Sequence, residues 1–338
     1  MKSVDWTRGH SARTSGLMAA ACMSGALFAF SATAVQAASQ ADPNAQREDL
    51  WSTAIAHMPA PHEGCFQATF PSTSWKPVAC VSAPNIPYIP RTGAGGVGQT
   101  VGDGNDYAAV VSGGLISQAV GSFPVVKGLK TESDEGRANT YSLQANSNFM
   151  SGSPACNGAS NPANCLAWEQ FVYSSSSDAA FMQYWLINWD TTCPSGWNSV
   201  SGDCYKNSSA VRVPLQVIKQ LKIMKLTGAA VANGSDSLTL TTKTQAYNTT
   251  GADSVVFLAN GWNATEFNVI GDGDGSEAVF NAGTKLTVGI ALTDGLTTAP
   301  TCQSHDGTTG ETNNLNLGSC GTSGGSTPSV SFVESLAK

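Results

Sequence analysis

Residues 165–189 limit the fold of this chain more than any other part of its sequence. Two runs rich in aromatic and β-branched residues, 168–173 and 181–189, flank a serine-rich turn, which is the pattern of a β-hairpin. Successive side chains of a strand point to opposite faces, so Gln170 and Gln183 lie on faces that are otherwise apolar. A glutamine there needs hydrogen-bond partners, which a neighbouring strand or a bound substrate would supply.

The N-terminus has the pattern of a secretory signal peptide over residues 1–37. Basic residues precede an apolar run at 17–30, and small residues surround Gln36. The apolar run is too short to span a bilayer. We therefore expect a secreted protein, extracellular or periplasmic, that does not contact the membrane after the signal is removed.

Eight cysteines follow the signal peptide, and an even count in an oxidising compartment predicts four disulfides. Neighbour pairing would close four short loops. No C-x-x-C motif is present, so zinc binding and thiol redox chemistry are not expected. The expected pairs are Cys65 with Cys80, Cys156 with Cys165, Cys193 with Cys204, and Cys302 with Cys320.

The chain is acidic and sparsely charged, with a net charge of −7 and 12% charged residues. Such a surface argues against nucleic acid or an anionic membrane as a partner. A low density of ion pairs also suits a protein exposed to acid, because fewer pairs are lost on protonation. A monomer is expected.

Residues 38–104 differ in composition from the rest of the mature chain. A helix-like stretch at 49–58 is followed by a proline-rich run at 84–91, and then by a glycine-rich linker from residue 92. Two interpretations remain open from composition alone. The segment is either a pro-segment lying over a cleft or an ordered arm of the mature protein.

Residues 105–338 consist of short strand-like runs separated by Gly, Asn, Ser and Asp clusters. This spacing predicts an all-β domain, an antiparallel β-sandwich of concanavalin-like or jelly-roll type. One short helix is predicted at 214–225, where apolar residues recur every three positions after a proline. Outside the hairpin, strands are predicted at 107–111, 115–120, 123–127, 139–146, 237–247, 254–258, 266–270, 285–292 and 329–333.

Two glycine-rich motifs match known patterns without the required context. Residues 93–98 lack the preceding strand and following helix of a nucleotide-binding loop. Residues 321–325 fit G-x-S-x-G but lie in a Ser/Gly-rich stretch without the strand-turn-helix of a nucleophile elbow. Neither is expected to be functional.

Histidine and metal chemistry are also disfavoured. His305 is the only histidine after residue 105, so a Ser/His triad or a two-histidine metal site in the sandwich would have only this loop residue to use. Asp272, Asp274 and Glu277 do not have the spacing of an EF-hand loop, and turns favour such residues anyway. We expect no metal and no cofactor.

Carboxylate and amide chemistry remains, with Glu266 as the candidate. This glutamate opens a predicted strand, and Asn268 and Ile270 share its face. It is either a strand-edge residue that points to solvent or a functional carboxylate, since an antiparallel sheet commonly has one polar face.

The order of several short motifs resembles that of the eqolisins, the glutamic peptidases of acid-secreting fungi and some bacteria. The similar pieces are VSGGLI at 111–116, GSFPVV at 121–126, YSLQANS at 141–147, WEQFV at 168–172, AFMQYW at 180–185 and NATEF at 263–267. The resemblance implies a β-sandwich with a substrate groove. Carried over by position, its catalytic pair would be Gln170 and Glu266, and Gln183 would replace an accessory glutamate.

That resemblance implies a secreted acid endopeptidase that cleaves a polypeptide substrate. Glu266 would activate water as a general base, and the Gln170 amide would donate to the oxyanion of the tetrahedral intermediate. Gln183, Trp185 and Trp168 are the candidate substrate-binding residues. Two alternatives stay open: a non-catalytic sandwich that binds carbohydrate or peptide on its aromatic face, and a secreted surface protein without a ligand groove.

Overall fold

The computed structural model describes residues 42–93 and 98–338. The predicted signal peptide at 1–37 lies outside the described residues, as do four residues of the glycine-rich linker. No helix within these described ranges has the length and apolar character needed to cross a membrane.

One α-helix, α1 (Pro43–Ala56), begins the described chain. The Asp42 side chain accepts a hydrogen bond from the Asn44 amide, and a proline occupies the first turn, where its missing N–H costs nothing. Trp51 and Ile55 are buried against the β-structure. Short 3₁₀ turns occupy Pro154–Gly158, Ile218–Ile223, Asp253–Val255 and Leu258–Asn260.

The prediction of a helix at 214–225 was wrong. Only Ile218–Ile223 are helical there, and they form a 3₁₀ turn. Ile218 and Leu221 are buried at a spacing of three residues, which a 3₁₀ turn satisfies directly.

The strands of the described chain are numbered in chain order. They are β1 (Cys65–Thr69), β2 (Lys76–Val78), β3 (Val81–Ser82), β4 (Thr100–Gly102), β5 (Tyr107–Val110), β6 (Gln118–Lys127), β7 (Glu132–Asp134), β8 (Arg137–Ala138), β9 (Ser142–Ser147), β10 (Met150–Ser151), β11 (Leu166–Ser174), β12 (Ala179–Ile187), β13 (Asn198–Val200), β14 (Asp203–Asn207), β15 (Ser209–Arg212), β16 (Lys225–Ala229), β17 (Ser235–Thr241), β18 (Gln245–Ala252), β19 (Ala264–Ile270), β20 (Glu277–Phe280), β21 (Lys285–Thr293), β22 (Thr301–Ser304), β23 (Thr312–Ser323) and β24 (Ser329–Ser335).

These strands form two sheets in a sandwich-like layout. Sheet I has the order β2-β1-β18-β17-β16-β6-β21-β24-β23-β20-β7-β8, and sheet II has the order β13-β14-β12-β11-β9-β19-β5-β22. Pairing is antiparallel except between β20 and β23. The all-β prediction of an antiparallel sandwich is confirmed.

The main core lies between the sheets and is built by strand alternation. Phe171 and Tyr184 of sheet II and Leu226 and Ile290 of sheet I belong to one buried apolar cluster. The opposite side chains of the same sheet II strands, Gln170 among them, point away from sheet I; we call this side the outer face.

Several strand predictions differ from the structure. The single strand predicted at 237–247 is a hairpin, in which β17 ends at Thr241 and β18 begins at Gln245. Residues 115–120 and 123–127 contribute to one continuous strand, β6. Residues 254–258 form two 3₁₀ turns joined at Phe257, whose backbone is left-handed with φ of 59°. The long strand β23 was not predicted, since its Asn, Gly, Ser and Thr residues have the composition of a loop.

All four expected disulfides are present: Cys65–Cys80, Cys156–Cys165, Cys193–Cys204 and Cys302–Cys320. Each closes a short loop, of 9 to 18 residues in sequence separation. Four disulfides are compatible with an extracellular location.

Candidate carboxyl and amide site

Four polar side chains form one row across the outer face of sheet II. The register pairs Gln183 of β12 with Gln170 of β11, Gln170 with Asn146 of β9, and Asn146 with Glu266 of β19. Residues directly opposite in neighbouring strands share a face. This carboxyl-amide row therefore brings Gln170 and Glu266 to the same face, with Asn146 between them.

Glu266 is held by one of its two carboxyl oxygens. Oε1 accepts hydrogen bonds from Asn146 Nδ2 (2.9 Å), the Thr308 amide (2.8 Å), Thr308 Oγ1 (2.8 Å) and the Thr309 amide (3.0 Å). Oε2 has no hydrogen-bond partner in the described part of the chain. Burial raises the pKa of Glu266, and the bonds to Oε1 act in the opposite direction.

A second carboxyl group, Asp106, lies beside Glu266. A Cβ at Gly307 would come within 2.6 Å of Glu266 Oε2 and 2.8 Å of Asp106 Cβ, so the two acids meet at this glycine. Burial, followed by the charges of Glu266 and Glu334, raises the pKa of Asp106 well above its usual value. Neighbouring carboxyl groups that cannot both ionise are a recurring device of acid catalysis.

Gln170 is fully buried and is connected to Glu266 only indirectly. Its Nε2 donates to Gln144 Oε1 (3.2 Å), and Gln144 lies two residues before Asn146 on β9. Asn146 Nδ2 also approaches Gln144 Oε1, at 3.3 Å. The structure thus connects Gln170 to Glu266 through two intervening amides, and gives no direct hydrogen bond between them within the described residues.

The other three predicted site residues are also buried on this face. Trp168 and Trp185 lie with ring centroids 6.4 Å apart, and Trp185 stacks on Tyr205 at 5.2 Å. The indole N–H of Trp185 donates to Gln183 Oε1 (2.9 Å), and that of Trp168 donates to the Ser147 carbonyl (2.9 Å). Neither indole is exposed as a platform for a sugar ring.

Residues 84–91, which we call the covering segment, lie over the outer face. The Tyr88 amide donates to Gln183 Oε1 (2.7 Å), and Gln183 Nε2 donates to the Ile86 carbonyl (2.9 Å). At the far end, the Arg91 amide donates to the Thr308 carbonyl (2.7 Å). The segment therefore runs from Gln183 to the loop that holds Glu266.

A cavity of about 220 Å³ adjoins Glu266 and is lined also by Ser147, Asn148, Phe149 and Thr308. A larger cavity of about 530 Å³ lies on sheet I beside His57 and contains no member of the row. Across residues 42–93 and 98–338, no group of three or more His, Cys, Asp or Glu side chains is placed to hold a metal ion.

Several residues of the site were not predicted from the sequence. Asn146 was within reach, because alternation along its predicted strand places it on one face with Gln144. Thr308 and Asp106 come from loops distant in sequence, and no local pattern marks them. Their proximity to Glu266 follows only from the three-dimensional structure.

The fold and site together define a β-sandwich protein with a buried carboxyl-amide row on the outer face of one sheet. No family model matches this chain, and no curated protein matches it. Among solved structures, the crystal structure of scytalido-glutamic peptidase with a transition state analog inhibitor is similar over 71% of this chain and 100% of that chain, at 12% identity and a TM-score of 0.28. A TM-score this low does not establish function, so the functional argument rests on the site's own residues.

Proposed function

We propose that this protein is a secreted acid endopeptidase in which Glu266 activates water and the side-chain amide of Gln170 binds the developing oxyanion. The observation that supports this most directly is the state of Glu266. One oxygen is fixed by four hydrogen bonds, while the other has no partner in the described chain and the residue lines a cavity. A general base needs this combination of fixed orientation and a free oxygen.

The proposed reaction requires an ionised Glu266. Its carboxylate removes a proton from water as the water oxygen bonds to the peptide carbonyl carbon. The amide of Gln170 donates to the resulting oxyanion, which stabilises the tetrahedral intermediate. Glu266 then returns the proton to the leaving nitrogen as the C–N bond breaks, which regenerates the carboxylate.

The position of Asn146 refines the assignment of the amide donor. It touches Glu266 directly, whereas Gln170 is one strand further along the row. An intermediate bound above Asn146 would lie between the two catalytic groups. Asn146 therefore orients Glu266, and Gln170 is the donor proposed for the oxyanion.

Substrate access requires the covering segment to leave. Gln170 and Gln183 are fully buried, and the segment makes hydrogen bonds to the latter. We propose that the chain is made as a precursor whose N-terminal segment, residues 38–104, is displaced or cut at acid pH. The described structure corresponds to the closed precursor in this proposal.

Cleavage of an unfolded polypeptide between about pH 2 and 6 tests the proposal, a range chosen to bracket the ordinary glutamate pKa of about 4.3. Glu266→Gln should abolish cleavage, because the proton acceptor is lost while the shape is kept. Gln170→Ala should lose about a hundredfold or more in turnover, as for removal of an oxyanion donor elsewhere. Glu277→Gln, which changes an exposed glutamate, is the matched control and should cleave like the wild type.

Absence of cleavage by the wild-type chain over this range, after its N-terminal segment has been released, would refute the peptidase proposal. A non-catalytic peptide-binding sandwich would then replace it. One observation favours that second function: an extended stretch of chain already occupies the outer face.

A further inference from the structure

The covering segment binds the outer face mainly through its backbone. Besides the contacts at Tyr88 and Ile86, the Pro84 carbonyl accepts from Asn207 Nδ2 (2.8 Å), and the Pro87 carbonyl accepts from the Asp274 amide (2.8 Å). Contacts to backbone groups do not depend on the side chains of the bound peptide. This face is therefore built to hold an extended polypeptide of varied sequence.

The same pattern continues toward Glu266. The Ile89 amide donates to Glu311 Oε1 (2.9 Å), and the Ile89 carbonyl accepts from the Gly310 amide (2.7 Å). Arg91 then bonds to the carbonyl of Thr308, whose own amide and hydroxyl hold Glu266. A peptide in this path would reach the loop of the proposed reaction centre.

Two side chains of the segment contact the outer face: Asn85 Oδ1 accepts from the Tyr205 hydroxyl (2.9 Å), and Tyr88 enters a pocket. The Tyr88 ring is fully buried in a cluster with Val172, Phe181 and Ala210, and its centroid lies 5.9 Å from that of Phe181. The phenol hydroxyl donates to Asp272 Oδ1 (2.8 Å). The pocket thus combines apolar walls with one polar acceptor at its end.

Asp272 is itself positioned for this contact. Its second oxygen, Oδ2, accepts from Ser174 Oγ (3.0 Å) and from the Ser176 amide (3.0 Å), which leaves Oδ1 directed at the phenol. If phenylalanine entered the pocket, Oδ1 would stay buried without the phenol donor. A site built to bond a hydroxyl rejects an analogue that lacks it.

We propose that the covering segment occupies the groove in which substrate polypeptide binds, and that the Tyr88 pocket is the subsite that selects a tyrosine side chain. This second proposal names the substrate class of the proposed peptidase, and it rests on that proposed function. The three prolines of the segment restrict its backbone, so it loses little conformational freedom when it lies in the groove.

Peptide binding to the full-length chain tests the pocket independently of turnover. The probe is the blocked octapeptide Pro-Asn-Ile-Pro-Tyr-Ile-Pro-Arg, with matched peptides that have Phe or Ala in place of Tyr. The receptor has Glu266→Gln, which prevents cutting, together with Tyr88→Ala, which empties the pocket. Affinity is measured by calorimetry or fluorescence anisotropy at acid pH.

The Tyr peptide should bind the Tyr88→Ala receptor at least about tenfold more tightly than either the Phe or the Ala peptide, since only it supplies a donor to Asp272. The chain with Tyr88 intact should bind far more weakly, because its own segment competes at an effective concentration on the order of millimolar. Val81→Ala, an exposed change in the same N-terminal region, is the control and should behave like the chain with Tyr88 intact. Equal affinity for the three peptides would overturn the assignment.

A second variant covers the case in which Tyr88→Ala does not fold. Tyr88→Phe keeps the ring and removes only the hydroxyl. Amide exchange at Tyr88, Ile89 and Arg91 should become at least about tenfold faster, since the segment opens more often when its anchor is weakened. Unchanged exchange at these amides would overturn the assignment.

Failure of this inference can be distinguished from failure of the proposed function. Cleavage of polypeptides without any preference for tyrosine would overturn the pocket assignment and leave the peptidase standing. Selective binding of the Tyr peptide, with no cleavage by the chain that retains Glu266, would support the pocket and overturn the peptidase.

Discussion

The stability of this fold should fall as the pH rises, and replacing Asp236 by asparagine should remove a large part of that pH dependence. Asp236 and Glu169 are fully buried between the sheets, and their carboxyl groups lie within hydrogen-bonding reach of each other. Among the described residues, no amide, hydroxyl or other N–H group donates a hydrogen bond to either oxygen of Glu169. The pair is satisfied only when at least one of its members is protonated.

The magnitude can be worked out from the pKa of Asp236, which burial and then the charge of Asp253 raise from 3.8 to about 7. A tenfold change in proton affinity is worth about 1.4 kcal/mol, so this shift corresponds to about 4 kcal/mol. The folded state binds the proton more tightly than the unfolded chain does. The stabilisation is therefore fully present below about pH 4 and is lost as the pH rises toward 7.

Urea unfolding at about pH 3 and about pH 8 measures the effect, because these values lie below the unfolded pKa of 3.8 and above the folded pKa of about 7. The side-chain amide introduced by Asp236→Asn keeps an acceptor for the Val231 amide and offers its own N–H to Glu169. The loss of unfolding free energy between the two pH values should shrink by about 4 kcal/mol relative to the wild type. Asp190→Asn, at an exposed position with left-handed backbone that asparagine tolerates, is the control.

An undiminished pH dependence in Asp236→Asn would refute this reasoning, as would a wild type whose stability rises with pH over this range. The variant should not become independent of pH. Burial also raises the pKa of Glu132 and of Glu334 to about 8, and both contribute in the same direction.

Two further predictions concern packing and processing. Gly121→Ala should destabilise the sandwich by about 1 to 3 kcal/mol in urea unfolding, because its Cβ would come within 2.2 Å of the Phe267 ring, whereas Gly321→Ala, with open space around it, should change little. Acid incubation should release the N-terminal segment by a cut between residues 92 and 105, which N-terminal sequencing would detect. An N-terminus that stays at Ala38 after this treatment would support the ordered-arm interpretation instead.

Alternation along the strands was the most informative part of the sequence. It placed Gln170 with Trp168 and Val172, and Gln183 with Phe181 and Trp185, and the register shows that the two glutamines are direct partners. Local cysteine pairing was likewise correct, since short loops bring their ends together at little entropic cost. Both inferences depend on contacts that are close in sequence.

The contacts that define the environment of Glu266 are distant in sequence, which explains why they were missed. Asn146 lies 120 residues before Glu266, and Thr308 lies 42 residues after it. Strand β23 shows the other limit of sequence patterns. Its polar, glycine-containing composition is unfavourable for a strand in isolation, and pairing with β24 decides its conformation.

The proposed activity should have an acid pH limit and an alkaline pH limit, and these two limits should have different physical origins. On the acid side, activity requires ionisation of Glu266, whose pKa is raised by burial, so its loss should be a reversible titration. On the alkaline side, ionisation of buried acids such as Asp236 weakens the fold itself, so its loss should follow unfolding. Asp236→Asn should therefore extend the alkaline limit and leave the acid limit where it is. A variant that moved both limits together would mean that one group governs both, and the separation between groove and core would be wrong.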